Sequence, residues 1–297
     1  MSSAGAAPVL PPPAAGALGV TDARRPSTLI AYRWELRKLV SQKRTYLGLG
    51  LAVLLPSIFV LVQNLRHQHP GRGDSIFTSQ ITQSGLATPV LTLLFESVFF
   101  LPLIASLVAG DIVAAEDGNG TLKTILTRSV DRGQVFAAKT LAALTYATIA
   151  VFLAAGVSTV EGVVSWGFNQ ITTYSGTVVP ATEGLALVFA ANACYLIPLF
   201  AVACIGVLLS TVTRNSTAAV VGAIGLVILL YILSGIPGLE AVKPYLLTEQ
   251  FENWHGLLRT PTDWTPIWHS AWVCALYAIP SLFAAYLVFL RRDVTGG

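Results

Sequence analysis

The sequence predicts an all-α integral membrane protein with six transmembrane helices, preceded by an amphipathic helix lying in the interface. Three observations lead there. Hydrophobic residues fill 54% of the 297 positions and charged residues only 11%, against about 25% charged in soluble domains, so most of the surface cannot face water. Six apolar stretches reach the length of about 20 residues that a helix needs to cross the hydrocarbon core. The basic residues gather between alternate stretches, the asymmetry that orients membrane proteins.

Taken in order, residues 1–28 are rich in Ala and Pro, with neither a basic leader nor an uninterrupted apolar run, and are expected to form a disordered cytoplasmic tail rather than a signal peptide. Over 29–45, Leu29, Tyr32, Leu36 and Val40 recur at helical spacing among Arg33, Arg37, Lys38, Lys43 and Arg44, with Trp34 as an interface anchor. The six-span domain occupies 46–290, with spans near 46–65, 86–109, 140–160, 185–209, 217–236 and 267–290, and 291–297 form a short C-terminus. Pro56 inside the first span is tolerated because neighbouring helices can satisfy the freed carbonyl.

With the N-terminus inside, fourteen of the eighteen Lys and Arg lie on the inner side, leaving Arg66, Arg72, Lys243 and Arg259 outside. Both termini are therefore expected in the cytoplasm, and the protein in the cell membrane. Two outer loops are long. Residues 161–184 lack Lys and Arg and carry Trp166, Phe168 and Tyr174 as interface residues. Within 237–266, Leu247, Phe251, Trp254 and Leu258 share one helical face opposite Glu249, Glu252 and Arg259, which predicts an amphipathic helix on or dipping into the outer leaflet.

Chemical motifs are few. Cys194, Cys204 and Cys274 lie in apolar runs, giving neither an extramembrane disulfide pair nor zinc-ligand spacing. His67, His69, His255 and His269 are scattered on the outer side without the HExxH spacing, so no metal site and no catalytic residues are predicted. Asn119 and Asn215 match glycosylation acceptors by sequence but fall on the inner side. Glu96, eleven residues into the second span, is the acid most clearly within the bilayer. An acid at that depth lines a path for cargo, pairs across a dimer, or marks a span boundary drawn a few residues too early.

The most informative segment is the polar island "EDGNGTLKT" at 116–124. It is not a phosphate-binding loop: Leu122 stands where the second glycine belongs, and no buried strand precedes it. It lies within an inner loop, 110–139, far longer than a tight turn requires. Acids Asp111, Glu116, Asp117 and Asp131 alternate there with bases Lys123, Arg128, Arg132 and Lys139 around Leu122, Ile125 and Leu126. That pattern fits a short helix offering one face to a protein partner.

Acid, spacer, Gly-Thr-Leu-Lys, a leucine, an arginine after a short turn and a lysine opening the next span together resemble the type-2 ABC transporter permeases, a family of exporter subunits. The matching residues are Glu116, Gly120, Thr121, Leu122, Lys123, Leu126, Arg132 and Lys139, with "SVDR" at 129–132 where typical members carry a proline. The topology, the N-terminal helix, the outer helix before the last span and the "RRD" from Arg291 extend the likeness over nearly the whole chain.

The resemblance implies the type V ABC exporter transmembrane fold, with Asp111, Glu116, Asp117, Gly120, Thr121, Leu122, Lys123, Arg128, Arg132 and Lys139 coupling to two copies of a separate ABC ATP-binding subunit. A second permease, identical or homologous, completes the pathway, and membrane lipids surround it. No cofactor is expected on this chain, and ATP and magnesium would reside in the partner. No nucleic acid is expected. The cargo implied is amphiphilic, drug-like or lipid-like. An ion-coupled secondary transporter, or a membrane-embedded enzyme or structural component, is the alternative class. The orientation is directly testable: a cysteine replacing Ser175 should react with an impermeant thiol reagent added to intact cells. One replacing Ser129 should not, and its labelling would reverse the topology.

Overall fold

The structure, a computed structural model, describes residues 27–68, 83–118 and 131–291. It is helical almost throughout, and among the described residues five helices are long and apolar enough to cross a membrane. They are α2 (Lys43–Gln68), α6 (Arg132–Trp166), α7 (Ala181–Thr213), α8 (Ser216–Ser234) and α9 (Thr265–Leu290). A short helix α1 (Thr28–Val40) precedes them, and α3 (Thr88–Glu96), α4 (Phe100–Ala109) and α5 (Ala114–Gly118) lie between α2 and α6. The chain is a multi-pass helical membrane protein.

The two central helices, α6 and α7, are longer than their apolar cores. At 35 and 33 residues they run about 50 Å, well beyond the roughly 30 Å of hydrocarbon. The long outer loop expected over 161–184 is correspondingly shorter: α6 continues to Trp166 and α7 begins at Ala181. What remains between them is a small antiparallel hairpin, β1 (Ile171–Thr172) against β2 (Val178–Val179). A helix does not end where its residues turn polar. It ends where its backbone bonds do, here at Gly167, whose φ of 84° leaves the helical region.

At the opposite end, α7 and α8 join through a tight turn in which Arg214 takes the left-handed conformation and the Asn215 side chain accepts from the Ala218 amide at 3.0 Å. One residue stops a helix and the next caps its successor. This end also gathers Lys38, Arg44, Arg132 and Arg214, and is called the basic end below.

The expected second span is not one helix. The 3-10 turn Gly85–Ala87 with α3, and then α4, meet at a bend of 64° across residues 97–99. Pro102 explains the break, since its ring nitrogen cannot donate to the carbonyl four residues back and its ring crowds that position. Tyr195 of α7 secures the bend by donating its hydroxyl to the Ser97 carbonyl at 2.7 Å.

The segment after α8 also departs from expectation. Leu247, Phe251, Trp254 and Leu258 lie in the 3-10 helix Leu247–Leu258, and all four are buried among α7, α8 and α9. Asn253 fixes the segment there, donating to the Cys194 carbonyl at 3.2 Å and to Ser270 Oγ at 2.9 Å. The apolar side chains found helix walls in preference to lipid.

On the far side, the turn before α3 rests directly on α6. A Cβ built on Gly162 would lie 2.4 Å from the Gly85 carbonyl oxygen and 2.5 Å from Thr88 Oγ1, whereas one on Gly156 meets nothing. Gly162→Ala should therefore lower the melting temperature in detergent by prising α3 from α6. Gly156→Ala, in the same helix, should be neutral or stabilise by about 0.5–1 kcal/mol through reduced chain entropy. Equal melting temperatures for the two variants would refute the close contact.

Candidate functional site

Of the charged residues singled out over 110–139, those the structure describes gather at the basic end, with partners the sequence did not reveal. Lys139, about two turns into α6, has no exposed surface. Its ammonium group lies 2.8 Å from Glu35 Oε1 of α1 and 2.6 Å from Glu116 Oε1 of α5, and donates to the Ile112 carbonyl at 3.2 Å. Lys38 reaches the same Glu116 from α1. Two lysines and two glutamates thus form a quartet joining α1, α5 and α6.

A second group ties the loop to α2, α7 and α8. Arg44 of α2 pairs with Asp111, which also accepts from the Ser216 hydroxyl at the start of α8. Arg214 lies 3.6 Å from Asp117. Ser210 of α7 accepts from the Val113 and Ala114 amides at 3.2 and 2.9 Å, satisfying donors that the start of a helix leaves open. On the returning side, the Asp131 side chain accepts from the Gly133 amide, and Arg132 Nη1 donates to the Leu290 carbonyl at 2.8 Å. Both roots of the loop are consequently fixed to the helices they join.

This placement revises two expectations. Asp111, Glu116 and Lys139 were expected to face a partner, but all three are buried and paired within the chain. An acid and a base this close in an apolar setting satisfy each other first. Gly120, Thr121, Leu122, Lys123 and Arg128 lie outside the described residues. The amphipathic face of α1 is also rotated: Tyr32, Glu35, Leu36 and Leu39 turn inward, while Leu29, Trp34 and Val40 are exposed. Polar partners chose that face, since Tyr32 Oη lies 2.7 Å from Thr145 Oγ1 and Glu35 meets Lys139. Glu35 is the functional residue that sequence reasoning missed. Its position four residues before Leu39 and three after Tyr32, on the inward face, was the available signal.

Burial alone would push the Glu116 carboxyl up, but the charges and hydrogen bonds of Lys139 and Lys38 outweigh it and hold the group below its usual 4.5. Glu116 therefore stabilises the fold fully above that usual value, and the contribution is lost as pH falls through the lowered one.

Away from the basic end, Glu96 closes α3 at the break and is buried, and Phe95 beside it packs on Phe59 of α2 with ring centroids 5.3 Å apart. A second acid joins it inside the helices. Glu161, expected in an outer loop, lies within α6 and accepts from Ser57 of α2 at 2.6 Å. Tyr174 of the hairpin meets His255 edge-on at 5.3 Å. Among the described residues no group of three or more His, Cys, Asp or Glu could hold a metal ion.

The profile of a family described as "Protein of unknown function (DUF2705)" matches residues 54–295, from the middle of α2 past the end of α9. The chain belongs to this family. Its matched region contains the loop, both of its roots and the broken pair, and leaves α1 outside. No curated protein matches the chain.

The quartet makes a graded prediction. Lys139→Ala leaves Glu35 without its cation and the buried Glu116 with Lys38 alone and should cost about 3–5 kcal/mol, whereas Lys38→Ala, at a partly exposed pair, should cost about 1 kcal/mol or less. Thermal melts over a pH series check both. Wild type should lose stability on acidification more steeply than Lys139→Ala, because the variant keeps only Lys38 to hold Glu116 down. Parallel pH profiles would show that the quartet is not coupled.

Proposed function

We propose that this chain is the transmembrane permease subunit of an ATP-driven exporter in the cell membrane. Its chain crosses six times, with α3 and α4 together forming one crossing and both termini cytoplasmic. Two such subunits, identical or homologous, enclose the pathway, and two ABC ATP-binding subunits dock on the 110–139 segment. The transport chain has no nucleotide site, and ATP and magnesium belong to the partner. The cargo is amphiphilic, drug-like or lipid-like, moved outward past the broken helix pair and Glu96.

One observation carries this reading: both roots of the loop are tied by buried ion pairs and capping bonds to α1, α2, α6, α7, α8 and α9. A rigid-body displacement that reaches these roots would be passed to the helices they hold. The Gly-Thr-Leu-Lys match lies between the roots in sequence. An ion-coupled transporter is the second reading, and the acid at a discontinuous helix favours it specifically.

The test replaces Leu122 and Lys123 together by Asp in the tagged chain. The wild type should bring down an ABC ATP-binding subunit from its own cells. The variant, folded with an unchanged melting temperature, should lose about 2 kcal/mol of docking energy, roughly a thirtyfold loss of affinity. If no such subunit accompanies the wild type and transport in vesicles follows an ion gradient without ATP, the second reading replaces the first.

A further inference from the structure

Glu96 ends α3 immediately before the bend, with 4% of its surface exposed. Among the described residues it forms no ion pair, and its Oε1 has no hydrogen-bond partner. The helices packed on α3 are α2, α6 and α7. From α7, Tyr195 gives its hydroxyl proton to the Ser97 carbonyl and not to Glu96. On α6, the Tyr146 hydroxyl donates to the Thr45 carbonyl, Glu161 accepts from Ser57, and Lys139 is held by Glu35 and Glu116. On α2, Lys43, Arg44 and Arg66 lie at or near the helix ends, and Phe59 faces Phe95. No cation approaches the acid from any of these elements.

A carboxylate placed there would be an uncompensated charge, costing several kcal/mol. A metal cation would neutralise it only with several converging oxygens, and among the described residues no group of three or more His, Cys, Asp or Glu gathers at the break. The carbonyls of Leu93, Leu94, Ser97 and Phe99 are already engaged, by the Ser97 amide, the Ser97 hydroxyl, Tyr195 and the Leu103 amide. The ligand that fits a single buried carboxyl group with no cation beside it is a proton.

We propose that Glu96 is a proton-binding site at the hinge of the bent pair. It is a neutral acid in the conformation described here, and it gives its proton to water when the break opens and admits solvent. The bend and the proton are then linked, each favouring the other. This inference does not rest on the exporter reading, because a proton held at the hinge is compatible with either source of energy.

The test uses the full chain in native membranes and dicyclohexylcarbodiimide, an apolar reagent that modifies protonated carboxyl groups in apolar surroundings. At neutral pH, peptide mapping should find the adduct on Glu96, declining as pH rises and absent in Glu96→Gln. Infrared difference spectra of wild type against Glu96→Gln should contain a protonated carboxyl band assigned to Glu96. Glu96→Gln, which copies the neutral acid, should keep the wild-type melting temperature. An unmodified Glu96 with only a carboxylate band would overturn the proposal. Protection of Glu96 by sodium chloride but not choline chloride would overturn it in favour of a metal cation. Loss of ATP-binding-subunit docking in the Leu122 and Lys123 variant would leave these outcomes unchanged, so the two readings fail separately.

Discussion

An ammonium group with no water around it must be surrounded by acids, and Lys139 meets that demand from two directions. Glu35 arrives from α1 and Glu116 from α5, so one buried lysine joins three elements distant in the chain. The orientation of α1 follows, because Glu35 can reach Lys139 only if Tyr32 and Leu39 also turn inward. The position of the loop's first root follows as well, because Glu116 is held there by Lys139 and Lys38. Such a network adds little net energy over an apolar core of the same shape, since desolvation offsets much of the attraction. What it contributes is a shared point of contact: one buried lysine is paired from α1 and from α5 at once.

The two ends of the bundle are held by different physics. The basic end is ionic, with Arg44, Asp111 and Ser216 adding a second tie beside the quartet. The far end relies on close packing, with Gly85 against Gly162 and Trp254 and Phe251 filling the space between helices. Charge pairs hold orientation over a few ångströms and yield when a partner is lost, whereas glycine contacts leave no room for a side chain. The bent pair α3–α4 lies between these regions, fixed by Pro102 and Tyr195 and containing Glu96. A helix interrupted at an acid joins a discontinuous backbone to a buried ionisable group at one point of the bundle.

Much of this was legible from residue order. The apolar stretches located every membrane-length helix, because burying a backbone in lipid leaves the helix as the only local solution. Leu247, Phe251, Trp254 and Leu258 are all buried, in a 3-10 helix whose three residues per turn the α-helical spacing did not anticipate. Their direction was not legible: an apolar face satisfies itself equally against lipid or protein, and only the neighbouring helices decide. Helix ends were misplaced for a related reason, as α6 and α7 persist through polar residues while their backbone bonds remain intact.

The sequence by itself determined that this is a helical membrane chain, where its apolar helices lie, and that an unusual polar loop follows the second stretch. All of these depend on composition and spacing along one segment at a time. Tertiary structure alone decided that Lys139 pairs with Glu35 across 104 positions, that Glu161 joins Ser57, and that the second stretch breaks at Glu96. A buried charge is tolerable only with a partner, and nothing in the order of residues names that partner until the chain has folded around it.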